Sequence, residues 1–230
     1  MVNAIEFTGV EKSFGSNQVL SNTSFSVRRG EFVSIVGRSG CGKTTILRLA
    51  SQMIKPTKGE ISVDGSIGQL FQNPPLLPWK NVLENIELSN SLHSTKIDSI
   101  PLIRLLGLGK HLKHFPRELS GGLQQRAALA QTLLSNPGVL LLDEPFGALD
   151  EPTRENLNVE LLNIWGRVAN TVLFVTHNVE ESVFLSDRVM VLANSSLKNV
   201  RIRLVRPRDL RIRFTKRFQD YARKIRGLIE

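Results

Sequence analysis

The fold is decided by residues 37–44, which read Gly37-Arg38-Ser39-Gly40-Cys41-Gly42-Lys43-Thr44 and fit the pattern G-x-x-x-x-G-K-[ST]. The apolar run before this segment, residues 31–36, predicts a buried strand, and residues 45–50 predict the start of a helix. Glycines let the backbone wrap a phosphate chain with its N–H groups pointing inward, and the helix adds the positive end of its dipole. The segment therefore predicts a phosphate-binding loop between a strand and a helix.

Lys43 and Thr44 narrow the ligand to a nucleoside triphosphate. The lysine can reach the β- and γ-phosphates, and the threonine hydroxyl can hold Mg²⁺. The alternative is a glycine-rich turn with a solvated lysine, which the strand–loop–helix context disfavours. The loop predicts nucleotide binding but does not say what hydrolysis drives.

Two carboxylates follow a second apolar run. Residues 139–142 are all apolar and predict a buried parallel strand, with Asp143 and Glu144 at its carboxyl end. Ligands of open α/β sheets bind at that edge. Asp143 is expected to hold Mg²⁺, directly or through water, and Glu144 to orient or deprotonate an attacking water. The alternative is a strand that ends in an acidic turn.

A third segment, Leu119-Ser120-Gly121-Gly122-Leu123-Gln124-Gln125-Arg126, predicts a second anion site. Ser120 and two glycines at the start of a helix, which we expect from about Gly122 to Leu134, expose N–H groups and a hydroxyl. Alone, such a turn is most often only a helix cap. In combination with the phosphate loop and Asp143-Glu144, however, it resembles the signature motif of the ATP-binding cassette (ABC) ATPases, and the resemblance extends from about residue 4 to about residue 195.

The resemblance implies a role for each matching residue. It implies that His177, after the apolar run 173–175, contacts the γ-phosphate and Glu144, although a lone histidine is more often a satisfied surface or core group. The expected catalytic residues are Glu144, His177 and Gln72. The expected ATP-binding residues are Phe14, which stacks on adenine unless it packs in the core, and Gly37, Arg38, Ser39, Gly40, Cys41, Gly42, Lys43, Thr44, Thr45 and Asp143. The expected Mg²⁺ ligands are Thr44, Gln72 and Asp143.

The family uses two copies head to tail, so the resemblance implies a homodimer in the ATP-bound state. ATP on the loop of one copy would be covered by the signature residues of the other. Those residues are Leu119, Ser120, Gly121, Gly122 and Gln124. The segment Ala148-Leu149-Asp150 is expected to cross the dimer interface.

The expected fold class is α/β: a P-loop NTPase core with a mostly parallel sheet, an N-terminal antiparallel β subdomain and an inserted helical subdomain. Residues 1–230 form one domain in this prediction. The helical subdomain spans about residues 76–135, with breaks near Pro101 and Pro116. The carboxyl-terminal region, about residues 198–230, is predicted to be a basic strand followed by a helix. The strand is expected at residues 201–208 and an amphipathic helix from about Pro207 to Gly227.

Composition restricts the class of protein. The chain has 230 residues, 41% of them hydrophobic, and no run approaches the roughly 18 apolar residues of a membrane span. The first six residues carry no basic segment, so no secretory signal is expected. The single cysteine, Cys41, excludes an internal disulfide and suits a reducing cytoplasm. The resemblance implies a peripheral protein on the cytoplasmic face of the cell membrane.

The net charge of +9 comes entirely from the carboxyl-terminal end. The first 197 residues contain 18 basic and 18 acidic residues, whereas the last 33 contain 12 basic and 3 acidic residues. Three interpretations remain: a solvated basic face, contact with anionic lipid headgroups, and nucleic-acid binding, which is the least favoured.

The resemblance implies the ATPase subunit of a bacterial-type importer, with integral membrane permease subunits and an extracytoplasmic solute-binding protein as partners. Phe71-Gln72, Leu76-Leu77-Pro78-Trp79, Val82-x-x-Asn85 and Arg206-Pro207-Arg208-Asp209 are similar to the nitrate, sulfonate and taurine importer group. Importers of pyrimidine precursors look similar here. A soluble ABC ATPase acting on ribosomes or nucleic acid and a P-loop kinase are the other classes.

Overall fold

The computed structural model describes residues 2–73, 75–92, 97–147, 149–168, 170–193 and 195–230. Its strands are β1 (Asn3–Phe14), β2 (Asn17–Arg28), β3 (Phe32–Val36), β4 (Lys58–Val63), β5 (Ile67–Leu70), β6 (Val139–Asp143), β7 (Thr171–Val175), β8 (Arg188–Ala193) and β9 (Ser196–Arg201). Its α-helices are α1 (Lys43–Ala50), α2 (Val82–Ile86), α3 (Leu88–Leu92), α4 (Ile100–Leu105), α5 (Gly121–Leu134), α6 (Glu151–Val168), α7 (Val179–Leu185) and α8 (Lys216–Ile229).

The amino-terminal strands form an antiparallel sheet in the order β2-β1-β4. Gly15, with φ of +59°, takes the left-handed conformation in the turn that joins β1 to β2. Ile5 and Phe7 alternate along β1 and are buried, and a register shift between Phe7 and Val10 buries Val10 as well. The Phe7 and Phe25 rings stack with their centroids 4.4 Å apart. This apolar face packs on α1 and on the second sheet, which keeps the sheet close to the phosphate loop.

The second sheet has the order β5-β6-β7-β3-β8-β9, with all pairs parallel except β8–β9. Every residue of β3, β6 and β7 is buried, as expected for parallel strands covered on both faces. Because these strands are parallel neighbours, their carboxyl ends meet at one edge of the sheet. The predicted α/β fold class, with its mostly parallel sheet and antiparallel amino-terminal sheet, is confirmed.

Helices α2–α5 lie in sequence between the two strands β5 and β6. The expected break near Pro101 lies just before it, at non-helical residues 97–99, and Pro101 itself is in the first turn of α4, where its missing N–H is no loss. Pro116 instead opens a 3₁₀ turn, Pro116–Glu118, that separates α4 from α5. Helix α5 begins at Gly121, one residue before the expected start. Among the described residues, no helix combines the length and the apolar character needed to cross a bilayer.

The carboxyl-terminal prediction was wrong in its boundaries. The last strand ends at Arg201, and helix α8 begins at Lys216 rather than near Pro207. Thr215 caps that helix by accepting a hydrogen bond from the Phe218 N–H at 3.4 Å. The buried face of the helix consists of Phe218, Ala222 and Ile225, at helical spacing. Residues 202–209 take an irregular path, because two arginines there bind other parts of the chain.

These two arginines are not part of a solvated basic face, whereas most other basic residues of the region are exposed. The Arg206 guanidinium lies 4.2 Å from the centroid of Trp165 and forms an ion pair with Asp187. Arg208 is only 6% exposed, and its Nη1 donates to the carbonyl oxygens of Val183, Phe184 and Ser186. Burial lowers the pKa of Arg208 to about 10.

Arg208→Met is expected to lower the free energy of unfolding by about 3 kcal/mol, because it leaves buried carbonyls without their charged donor. Urea unfolding followed by circular dichroism measures the loss. Arg211→Met is the matched control, since the side chain of Arg211 is 92% exposed and should change stability by less than about 0.5 kcal/mol. Equal stabilities of the two variants would contradict this structural role for Arg208.

Candidate functional site

The phosphate loop connects the carboxyl end of β3 to α1, as predicted. Gly40 and Gly42 have φ of +77° and +107°, a conformation that side chains rarely adopt. A Cβ on Gly37 would lie 2.4 Å from the Leu192 carbonyl oxygen, so this position has no room for a side chain. Helix α1 has no acidic residue in its first turn, so its positive end is not neutralised there. The loop therefore has the backbone geometry that an anionic ligand requires.

Lys43 is the first residue of α1, and its side chain folds over the loop. Its buried ammonium donates to the carbonyl oxygens of Gly37 at 2.9 Å and Arg38 at 3.0 Å. These two contacts hold the positive charge against the loop backbone. The arrangement is suited to a polyphosphate.

The other expected loop residues occupy different environments. Thr45 lies half-buried in the first turn of α1, Cys41 is half-buried, and Ser39 is exposed. The Arg38 side chain binds elsewhere, because its Nη2 donates to the backbone oxygen of Glu230 at 3.2 Å. The loop thus touches the end of helix α8, a contact that sequence patterns did not indicate.

Thr44 and Asp143 meet at the sheet edge. The Thr44 hydroxyl donates to Asp143 Oδ1 at 3.1 Å. Burial raises the pKa of Asp143, while the Thr44 hydrogen bond and the charges of Arg48 and Lys43 oppose that rise. A hydroxyl and a carboxylate oxygen lie together here, which is the donor set that a hard divalent cation prefers.

Gln72 lies two residues after β5, the strand next to β6, and therefore at the same edge as Asp143. Its side chain is exposed, and its backbone oxygen accepts a hydrogen bond from Gln125 Nε2 at 2.6 Å. This contact ties the loop after β5 to helix α5, which begins with the Ser120-Gly121-Gly122 turn. Gln125 thus links the Gln72 loop to the helix that follows the second predicted anion site.

Glu144 and His177 are the two expected catalytic residues that the structure brings together. Glu144 Oε2 lies 3.1 Å from His177 Nδ1, and the residues follow the neighbouring strands β6 and β7. The Glu144 backbone has φ of +43°, a conformation that residues other than glycine seldom adopt outside functional sites. Hydrogen bonds from the Glu144 N–H to Val175 O and from the Gly147 N–H to Glu144 O hold it.

The signature segment forms a helix start, as predicted. Ser120 precedes α5 and accepts a hydrogen bond from the Leu123 N–H at 3.4 Å, and Gly121 is exposed. Leu119 is buried in the core, and the Gln124 amide donates to the Pro116 oxygen at 2.8 Å. Both side chains therefore stabilise the turn that precedes α5. In the described part of the chain, no hydrogen bond joins this segment to residues 37–44.

Phe14 and the segment after Phe146 complete the predicted set. Phe14 is 49% exposed with Lys12 Nζ 4.9 Å from its centroid, so it does not pack in the core. Leu149 is buried, and Asp150 accepts hydrogen bonds from the N–H and hydroxyl of Thr153 at the start of α6, which lower the Asp150 pKa. Ala148 lies outside the described residues.

Sequence analysis missed a buried polar cluster next to His177. Glu181 on α7 is almost fully buried, and its carboxyl contacts the Thr176 hydroxyl. The available signal was the spacing of Asn178 and Glu181, which predicts a capping box with the glutamate reaching back to the cap. Asn178 does cap α7, but Glu181 Oε2 binds Thr176 instead.

Comparison with known proteins identifies the family. The family model described as ABC transporter matches residues 20–147, which is more than half of the chain. This chain belongs to the ABC transporter family. The aliphatic sulfonates import ATP-binding protein SsuB 1 of Shouchella clausii (strain KSM-K16) is 45% identical over 208 residues, covering 89% of this chain and 84% of that protein.

Two further similarities extend the family assignment. The bicarbonate transport ATP-binding protein CmpD of Synechocystis sp. is 39% identical over 214 residues, covering 85% of this chain and 76% of that protein. A dimeric structure of the ATP-binding cassette MJ0796 in a post-hydrolysis state, bound to ADP and Pi, has a TM-score of 0.77 at 29% identity. It covers 87% of this chain and 100% of that one. The chain is an ABC ATPase with ATP as its nucleotide.

Proposed function

We propose that this ABC ATPase is the energising subunit of an importer for a small oxyanion of the sulfonate type. The observation that carries the proposal is the pairing of Glu144 with His177 beside a complete phosphate loop, in a chain 45% identical to a sulfonate import ATP-binding protein. The cargo passes through separate membrane subunits, after delivery by an extracytoplasmic binding protein. The ATPase lies peripherally on the cytoplasmic face of the membrane.

ATP binds with its phosphates on residues 37–44 and its adenine on the exposed ring of Phe14. The loop N–H groups and Lys43 hold the β- and γ-phosphates. Thr44 and Asp143, 3.1 Å apart, supply oxygen ligands that fit Mg²⁺, with Gln72 at the same edge. When bound, Mg²⁺ neutralises part of the charge on the phosphate oxygens.

Glu144 accepts a proton from the attacking water, and His177 holds its carboxylate in place. The 3.1 Å contact between Oε2 and Nδ1 leaves the second carboxylate oxygen to face the water. The strained backbone of Glu144 fixes the direction of its side chain relative to the loop. His177 is exposed enough to reach the γ-phosphate with its other ring nitrogen.

Two copies complete the nucleotide site. Ser120, Gly121 and Gly122 are the second anion site, and they make no hydrogen bond to the loop of their own chain among the described residues. In a head-to-tail dimer they cover the γ-phosphate bound to the other copy, with residues 148–150 at the interface. Hydrolysis removes the γ-phosphate and with it the contact between the two copies, so the dimer opens.

The surface around Trp79 docks the membrane subunits. Trp79 is 70% exposed at the start of the helical segment that we assign, at about residues 76–135, to a subdomain. Buried Asn85 holds this segment by accepting from the Leu77 N–H at 2.7 Å and donating to the Leu77 and Lys80 oxygens. Since Gln72 immediately precedes it, movement at the nucleotide can reach the permease through this segment.

The basic carboxyl-terminal region, residues 198–230, adds at most a weaker contact with anionic lipid. Arg206, Arg208, Arg213 and Arg226 already bind partners within the chain. Arg211 and Arg223, whose side chains are 92% and 78% exposed, have only 3.8 Å ion pairs with Asp209 and Asp220, and they are available to a lipid surface.

Affinity purification of the Glu144→Gln variant with ATP, from detergent-solubilised membranes of the native cell, tests the proposal. We expect an integral membrane protein with several apolar spans to accompany it. Lys43→Ala, which weakens the hold on ATP, is the matched control and should recover less of that partner. Recovery of ribosomes or nucleic acid alone, with no membrane protein, would contradict the importer function and favour a soluble ABC ATPase.

A further inference from the structure

A buried carboxyl lies behind the turn that carries His177. Glu181, on the first turn of α7, is only 4% exposed, and its Oε2 lies 2.5 Å from the Thr176 hydroxyl. The same hydroxyl accepts a hydrogen bond from the Asn178 N–H at 3.0 Å. Thr176 thus donates to the carboxyl and accepts from the backbone on the far side of His177. The position of His177 is fixed from both of its neighbours.

The other side of Glu181 faces helix α6. The amide of fully buried Asn158, on α6, acts on this carboxyl as a hydrogen-bonding group, although neither its two amide atoms nor Glu181 Oε1 has a partner at ordinary hydrogen-bond geometry among the described residues. The charge of Arg154, one turn earlier on α6, acts on the Glu181 carboxyl. The carboxyl therefore joins α7 to α6 through polar groups that are incompletely paired.

Arg154 connects this cluster to the segment that carries Glu144. Its Nη2 donates to the Leu149 oxygen at 2.6 Å and its Nε to the Phe146 oxygen at 3.2 Å. These carbonyls belong to the turn that begins at Glu144 and leads to the start of α6. One buried carboxyl thus acts on the supports of both His177 and Glu144.

The chemistry of the cluster argues against a role in stability alone. Burial raises the pKa of Glu181, and the hydrogen bonds of Thr176 and Asn158 and the charges of Arg154 and His177 oppose that rise. Replacing a whole buried ion pair by well-packed apolar residues is often neutral for stability, so a buried ionic cluster is weak evidence for a stabilising role. Helix α7 also has its own cap in Asn178, so it does not require Glu181 to begin.

We propose that Glu181 is a positioning residue for ATP hydrolysis, which holds the Thr176-His177-Asn178 turn in register with the segment that carries Glu144. The proposal rests on the roles given above to Glu144 and His177. A misplacement of about 1 Å in such a pair lowers turnover by up to about 100-fold without changing substrate affinity. Glu181 itself touches neither nucleotide nor water.

The test measures kcat and KM for ATP hydrolysis, and the Kd for ATP, in Glu181→Gln and Thr176→Val. Both variants should lower kcat about 10-fold or more while the Kd for ATP stays within about twofold. Thr176→Ser retains the hydroxyl and should restore kcat. Because the two residues act through one contact, the double variant should lose little more than either single variant. Glu180→Gln is the control, since Glu180 is the adjacent residue and pairs with Arg226 on the surface.

Thermal unfolding of each variant separates positioning from folding. Unchanged kcat in both Glu181→Gln and Thr176→Val would overturn the proposal. The proposal would also fail if the kcat of these variants fell only in proportion to their folded fraction. His177→Ala and Glu144→Gln are measured in parallel. If these two variants lost turnover while Glu181→Gln kept its own, the positioning role of Glu181 would be rejected and the catalytic site would stand. Retained turnover in those two variants would instead reject the catalytic site on which the proposal rests.

Discussion

Glu144→Gln is expected to lower kcat for ATP hydrolysis by about 10²- to 10⁴-fold while leaving the Kd for ATP within about twofold. The amide has the same shape but cannot take a proton from water. Asp143, Thr44 and Lys43, which face the phosphates, are unchanged by the substitution. The variant therefore loses the proton acceptor of the transition state without losing ground-state binding.

Steady-state phosphate release and equilibrium binding of ATP measure the two quantities. Glu60→Gln, an exposed position on β4 at the edge of the other sheet, is the matched control and should retain full turnover. A kcat for Glu144→Gln within twofold of the unchanged protein would remove Glu144 from the role of proton acceptor. Parallel loss of turnover and of ATP binding would mean that it holds the nucleotide instead.

Gly121→Asp is expected to lower kcat by about 1,000-fold while a single copy still binds ATP. The position is exposed, and a Cβ there would meet Leu149 Cδ2 only at 3.8 Å, an ordinary contact. An aspartate at a helix start is also favourable for folding. Across the dimer, however, the new charge would lie near the γ-phosphate, where repulsion at about 4 Å amounts to about 4 kcal/mol.

Gly121→Asn separates the charge from the size of the new side chain. It should lose much less turnover than Gly121→Asp, because it adds nearly the same volume without the negative charge. If the aspartate variant hydrolysed ATP at the unchanged rate, residues 120–122 would be a helix cap and nothing more. If both variants lost turnover equally, crowding at the interface rather than charge would be the cause.

The parts of the site that sequence could predict are those whose geometry is local. The loop of residues 37–44 carries its own glycines, and its place between β3 and α1 follows from the adjoining apolar runs. Asp143, Glu144 and His177 follow buried strands, so their meeting at one edge follows from a parallel sheet. Ser120 was predictable as the cap of α5 because a helix cap depends only on neighbouring residues of the sequence.

The parts that sequence did not predict depend on contacts between distant residues. Arg206 and Arg208 fitted an alternating pattern, yet they bind Trp165, Asp187 and carbonyl oxygens at the end of α7, so no strand forms there. Glu181 fitted a capping box, but burial against α6 directs its carboxyl to Thr176. Neither residue type nor spacing reports which neighbour a side chain meets after folding.

The central claim is that ATP lies between residues 37–44 of one copy and residues 120–122 of the other. The molecular mass of the Glu144→Gln variant in solution tests this claim most directly. Light scattering coupled to gel filtration, with saturating ATP and Mg²⁺, should give twice the chain mass of 25.7 kDa. ADP in place of ATP, or the added substitution Gly121→Asp, should return the mass to that of one chain. A mass of 25.7 kDa with ATP demonstrably bound would contradict the account, because the second anion site would then play no part in holding the nucleotide.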